Sequence, residues 1–123
     1  MPELPEVETT RKGIAPYVVD ETVVNVIIRE KQLRWPIPTR LKHSLKDQQI
    51  KKLQRRAKYL IFYTDNGCML VHLGMSGSLR IINDKQPPGK HDHIDIVFGS
   101  GNTLRFHDPR KFGSIHWTKK EPM

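Results

Sequence analysis

The stretch Lys58-Tyr59-Leu60-Ile61-Phe62-Tyr63-Thr64-Asp65-Asn66-Gly67-Cys68-Met69-Leu70-Val71-His72-Leu73 decides the fold. Two apolar, β-branched and aromatic runs flank Asp65-Asn66-Gly67. An Asn-Gly pair between such runs is a strong hairpin signal, because both residues tolerate the positive φ of a tight turn. The reading is a strand over 58–64, a turn, and a strand over 68–73, with Cys68 a small buried apolar residue.

The same pattern continues on either side. Downstream, strands are expected over 78–82, 93–98, 103–107 and 114–118. Ile94, Ile96 and Phe98 alternate in one of them, Gly99-Ser100-Gly101-Asn102 makes a turn, and Pro87-Pro88-Gly89 marks a loop over 83–90. Upstream, residues 22–28 are rich in β-branched side chains and read as a strand, and Trp35-Pro36-Ile37-Pro38 reads as a loop. A short helix is expected over 39–47, with Thr39 as its cap and Leu41 and Leu45 one turn apart. A first helix is expected from Pro5 to about Ile14, stopping before Pro16 and burying Leu4, Val7 and Ile14. The fold class is therefore mainly β with two helices. Its form is a two-layer β-sandwich or flattened barrel of about seven to eight antiparallel strands, with an N-terminal helix and a short second helix flanking it.

A chain of 123 residues is one domain with room for a real core. Lys and Arg number 21 against 13 Asp and Glu, a net charge of +8, which points to a polyanionic partner. A single cysteine excludes an internal disulfide and any cysteine-based zinc-finger spacing, and the six histidines do not fall at a metal-ligand spacing. No apolar run approaches the roughly 20 residues of a membrane span, and the acidic start does not read as a signal peptide, so a cytoplasmic protein is expected.

The start, Met1-Pro2-Glu3-Leu4-Pro5-Glu6-Val7-Glu8, carries the clearest chemical signal. With Met1 removed, Pro2 becomes a secondary α-amine, which loses its proton near pH 8, roughly two units below a lysine, and can attack an aldehyde carbon. Pro5, Glu6 and Glu8 are ordinary helix-start residues. Pro2 and Glu3 have no such explanation. The positive end of the helix favours a neutral amine at Pro2 and an ionised Glu3.

Four segments together resemble the N-terminal domain of bacterial formamidopyrimidine-DNA glycosylase: Pro-Glu-Leu-Pro-Glu-Val-Glu at 2–8, Gln-Arg-Arg-Ala-Lys-Tyr-Leu at 54–60, His-Leu-Gly-Met-Ser-Gly-Ser-Leu-Arg at 72–80, and the pair at 91–98 and 108–113. The related endonuclease VIII group shares the Pro-Glu start, but the segments at 75–80 and 108–113 are more similar to the oxidised-purine branch. The resemblance covers the whole chain, in order. It implies a DNA glycosylase and abasic-site lyase acting on double-stranded DNA with an oxidised purine or an abasic site, with no obligate protein partner. In that family a helix-two-turn-helix segment and a four-cysteine zinc finger follow this domain. The sequence ends at Met123 before either, so no metal or other cofactor is expected within it.

The resemblance also implies roles. Pro2 would attack C1′ of the damaged nucleotide, and the resulting iminium acidifies C2′ and permits elimination of the 3′ and then the 5′ phosphate. Glu3 would be the acid or base at the sugar ring, and Glu6 is a secondary acid candidate whose reading as a first-turn carboxylate is about as good. Lys58 would hold phosphate beside the lesion, and His72 and His91 would contact phosphate. Arg55 and Arg56 are explained equally well as solvated charge. Met75, Arg110 and Phe112 suit wedge, orphan-base hydrogen bonding and stacking, the tasks left when a base leaves the duplex. From composition alone, Met75 and Phe112 would read as core and Arg110 as surface charge.

Two other function classes stay open on sequence grounds. A truncated domain of the same family that binds DNA without turnover has the same basic surface. An N-terminal-proline enzyme acting on small carbonyl compounds would share Pro2 but has no use for the basic residues or the loop side chains. A steep loss of DNA affinity with salt separates it from the others.

Overall fold

The computed structural model describes residues 4–83 and 86–119. Two helices and eight strands follow in the order α1 (Leu4–Val18), β1 (Val23–Ile28), α2 (Leu41–Leu45), β2 (Lys52–Arg56), β3 (Tyr59–Thr64), β4 (Gly67–His72), β5 (Ser78–Ile82), β6 (Asp92–Phe98), β7 (Thr103–His107) and β8 (Ser114–Thr118). Two four-stranded sheets form, ordered β1-β6-β7-β5 and β2-β3-β4-β8, and every pairing is antiparallel. The expected two-layer sandwich with flanking helices is the fold.

Period-2 alternation builds the layers. Leu60, Phe62, Met69, Val71, Ile115 and Trp117 of one sheet join Val23, Val26, Ile94, Ile96, Phe98, Leu104 and Phe106 of the other in a single core. Val7, Ile14 and Val18 of α1 and Leu41 and Leu45 of α2 complete it. The intervening residues of the hairpin, Ile61, Tyr63 and Cys68, form a smaller buried cluster on the opposite face. The turn spans Asp65 and Asn66, and Gly67 already pairs with Thr64.

Three expectations fail locally. The helix does not stop before Pro16 but runs through it to Val18. A proline inside a helix costs about 3 kcal/mol, and burying a valine returns about 1.5–3 kcal/mol; Val18, with no exposed surface, holds the last turn against the core. Leu4 is exposed rather than buried. The second helix is shorter than 39–47, and Thr39 does not cap it: Arg40 occupies the cap position with no side-chain hydrogen bond.

A strand absent from the sequence reading, β2, pairs with β3 from Lys52↔Tyr63 to Arg56↔Tyr59. Only Leu53 of its five residues is buried. Charged side chains suit a sheet edge, so the strand carries almost no hydrophobic signal.

Candidate functional site

The two turns that matter leave the sheets at neighbouring points. His72 ends β4 and Ser114 begins β8, and the two are register partners. The turn after His72 and the segment before Ser114 are therefore brought side by side. Gly74 has φ 66, and a Cβ there would lie 2.6 Å from the Phe112 carbonyl carbon and the Gly113 nitrogen. A Cβ on Gly113 would lie 2.7 Å from the His72 carbonyl oxygen. Glycine at both positions lets the backbones touch.

From this contact, Met75 projects 53% exposed and Phe112 42% exposed. Neither is core, contrary to what composition alone favours. Arg110 is exposed on the same loop as Phe112, and its N–H donates to the Ser76 hydroxyl oxygen at 3.2 Å. Between them, Lys111 adopts φ 57 and its Nζ pairs with Glu30 Oε2 at 2.7 Å, which turns Lys111 away from Arg110 and Phe112.

Met75, Phe112, His72, Gly74, Tyr59, Ser114, Arg34 and Trp35 line an open cleft of about 430 Å³. Among the described residues its lining contains no carboxylate. Arg34 and Trp35 arrive on the segment between β1 and α2, held by the Arg34 N–H bond to the Gly113 carbonyl at 3.2 Å, and the Arg34 guanidinium stacks over the Trp35 ring at 5.8 Å. From sequence the segment reads as a loop, and neither residue is among the expected site residues. The available signal was an arginine beside a tryptophan in a proline-bounded loop, a poor place to bury a large aromatic.

His72 is fixed within the cleft. Its Nδ1 accepts the Gly74 N–H at 3.0 Å, and its ring meets the Tyr59 ring edge-on at 4.9 Å. Because a backbone amide can only donate, Nδ1 carries no proton and the ring proton sits on Nε2. Burial, then the nearby charges of Lys58, Arg34 and His116, hold the imidazole below its usual pKa. His72 is thus a neutral donor in a cationic setting, suited to a phosphate oxygen. Lys58 sits in the two-residue turn after β2, where Ala57 takes φ 51, close enough to His72 to act on its charge.

His91 is elsewhere. It lines a second cleft of about 430 Å³ with Arg29, Glu30, Lys90, His93 and Lys111, and its ring packs edge-on against His93 at 6.3 Å and His107 at 6.0 Å. Glu6 is exposed on the first turn of α1. Pro2 and Glu3 lie outside the described residues.

Residues 1–115 match the family described as the formamidopyrimidine-DNA glycosylase N-terminal domain. The chain belongs to the formamidopyrimidine-DNA glycosylase family. It is 52% identical over 122 residues to the formamidopyrimidine-DNA glycosylase of Syntrophotalea carbinolica, covering 99% of this chain and 45% of that protein. It is 58% identical over 117 residues to that of Shewanella denitrificans, covering 95% and 43%. Among solved structures, the Lactococcus lactis enzyme bound non-covalently to DNA with an abasic site superposes with TM-score 0.87 at 32% identity, over 95% of this chain and 45% of that one. A complex of MutM with DNA containing carbocyclic 8-oxoguanine gives TM-score 0.86 at 33% identity, over 94% and 44%. The chain spans about half the length of the curated relatives it matches.

For a formamidopyrimidine-DNA glycosylase domain, the two glycines and the paired strand ends give the expected loop side chains a common origin. The run Asp108-Pro109-Arg110-Lys111-Phe112-Gly113 is not uniform in role: Arg110 and Phe112 are exposed, Lys111 is tied to Glu30, and Asp108 is fully buried.

Proposed function

We propose that this chain is the damage-processing half of a cytoplasmic DNA repair enzyme, which excises oxidised purines such as formamidopyrimidine and 8-oxoguanine and cleaves the resulting abasic site. The observation that carries the reading is the cleft where Met75 and Phe112 stand exposed beside the neutral Nε2–H donor of His72, with Arg34 and Lys58 supplying positive charge. Apolar side chains held out in water at a basic surface fit a gap in a base stack. Lys58, His72 and Arg34 then grip phosphate near that gap, His91 extends that contact, and Arg110 hydrogen-bonds the orphan base.

In the chemistry this reading assigns, the Pro2 nitrogen forms a bond to C1′ as the bond to the base breaks, and gives up its own proton. Glu3 protonates the ring oxygen as the sugar opens to the iminium. Loss of a C2′ proton expels the 3′ phosphate, a second elimination expels the 5′ phosphate, and water releases the sugar remnant from Pro2. Glu6, on the exposed first turn, is the secondary acid. Removal of Met1 is required, since an amide nitrogen at Pro2 has no available lone pair.

Borohydride trapping on a duplex with one abasic site tests the reading, with intact mass of protein and adduct. An adduct at Pro2 on chain lacking Met1 is the expected result. DNA binding without any adduct on such chain would leave a binding module instead.

A further inference from the structure

Asp108 has no exposed surface, and its carboxylate is shared by elements that are distant in sequence. Oδ1 accepts the Ser76 hydroxyl at 2.6 Å and the Lys111 N–H at 3.1 Å, while Oδ2 accepts the Gly113 N–H at 2.8 Å. The Ser76 oxygen then accepts the Arg110 N–H. One carboxylate and one hydroxyl thereby join the turn carrying Met75 to the loop carrying Arg110 and Phe112. The Asp108 backbone adds a third connection: its N–H donates to the His91 carbonyl at 3.0 Å, and its carbonyl lies 2.8 Å from His93 Nε2.

The chemistry asks for a carboxylate. Three donors converge on two oxygens, and an amide in the same place would turn an N–H toward at least one of them, leaving a buried clash between donors. Lys111 supplies an independent sign that the loop is held in one state. A lysine at positive φ persists only where its surroundings determine it, and its N–H is spent on Asp108.

Resting on the DNA reading above, we propose that Asp108 is a positioning residue which, through Ser76, locks the Met75 turn to the Arg110–Phe112 loop so that the three side chains enter a gap in duplex DNA as one unit. Hydrogen bonds fix the spacing of the three tips before binding, so the ordering cost is met in folding rather than at the encounter. Asp108 touches no DNA itself.

The test compares affinity for a duplex holding one tetrahydrofuran abasic analogue with affinity for the same duplex intact, at one salt concentration, for the wild-type chain and for Ser76→Ala, Ser76→Thr and Asp108→Asn. Ser76→Ala is expected to cut the preference for the gapped duplex about tenfold, the size of one lost hydrogen bond to a charged group, with intact-duplex affinity unchanged. Ser76→Thr, which keeps the hydroxyl, restores the preference. Asp108→Asn behaves as Ser76→Ala where its denaturation midpoint shows a folded chain, and Ser76→Ala decides the matter where it does not. A Ser76→Ala chain that keeps its preference, or that loses affinity for both duplexes in proportion, overturns the positioning role alone. A wild-type chain with no preference overturns the DNA reading and this proposal with it.

Discussion

The Nδ1 atom of His72 accepts the N–H of Gly74, the residue whose positive φ brings the Met75 turn against Gly113. One short contact therefore fixes both the protonation site of a phosphate-binding candidate and the path of the loop beside it. The proton on Nε2 lies across the ring from the turn that holds Nδ1.

This arrangement predicts a neutral His72 with its proton on Nε2 at neutral pH. Nitrogen-15 chemical shifts should show that tautomer, with a titration midpoint below the usual 6.5. The sign for stability follows: the unfolded chain takes up a proton at His72 before the folded chain does, so the contribution is full above 6.5 and is lost as pH falls through the depressed folded value. A midpoint at or above 6.5 would refute the assignment.

Gly74→Ala should destabilise the fold by more than about 1 kcal/mol, since alanine at positive φ is strained even without a clash. The added Cβ also meets backbone of Phe112 and Gly113 at 2.6 Å. Chemical denaturation measures the loss, and an unchanged midpoint would mean that the two loops are not in contact.

Phe112→Ala and Lys58→Ala should fail in different ways. Phe112 is exposed, so its loss should leave stability within about 0.5 kcal/mol while weakening binding to an abasic-site duplex by about 1–3 kcal/mol, the range for base stacking on an aromatic ring. Lys58→Ala should instead lower the slope of log affinity against log salt by about one. Salt titrations of both variants separate the roles, and identical slopes would remove Lys58 from the phosphate contacts.

On the outer face of the β6–β7 pair, Arg105 binds Asp95 through two hydrogen bonds of 2.9 and 3.0 Å, and Arg29 reaches the same carboxylate at 2.6 Å. Burial works against ionisation of Asp95, but the two guanidinium partners outweigh it and lower its pKa below 3.8. Arg105→Met should cost about 3–5 kcal/mol at pH 7, because it leaves a buried carboxylate short of a partner. With the folded pKa depressed, the stability Asp95 contributes is present above 3.8 and lost as pH falls through the folded value. Denaturation of wild type and variant across pH 2–7 (roughly the carboxylate range) checks both, and a difference that did not shrink in acid would refute the pairing.

The sequence by itself determined the strands, the hairpin at Asp65-Asn66 and the presence of two helices, because each rests on neighbours in the chain. Seven of the strands announce themselves by apolar, β-branched or aromatic residues between turn signals. The eighth, Lys52–Arg56, does not, since an edge strand is held by backbone pairing to Tyr59–Thr64, and backbone groups are the same in every residue. Helix α1 passes Pro16 because Val18 finds a core that only the packed sheets create. The candidate site divides in the same way. Lys58, His72, Met75 and Phe112 were legible as residue types in motifs, whereas Arg34 and Trp35 joined them only through a backbone bond from Arg34 to Gly113. Asp108 was legible only as part of a motif. That it gathers Ser76, Lys111 and Gly113 on one carboxylate was decided by the meeting of two strand ends that lie about forty positions apart in the chain, a distance over which local propensity carries no information.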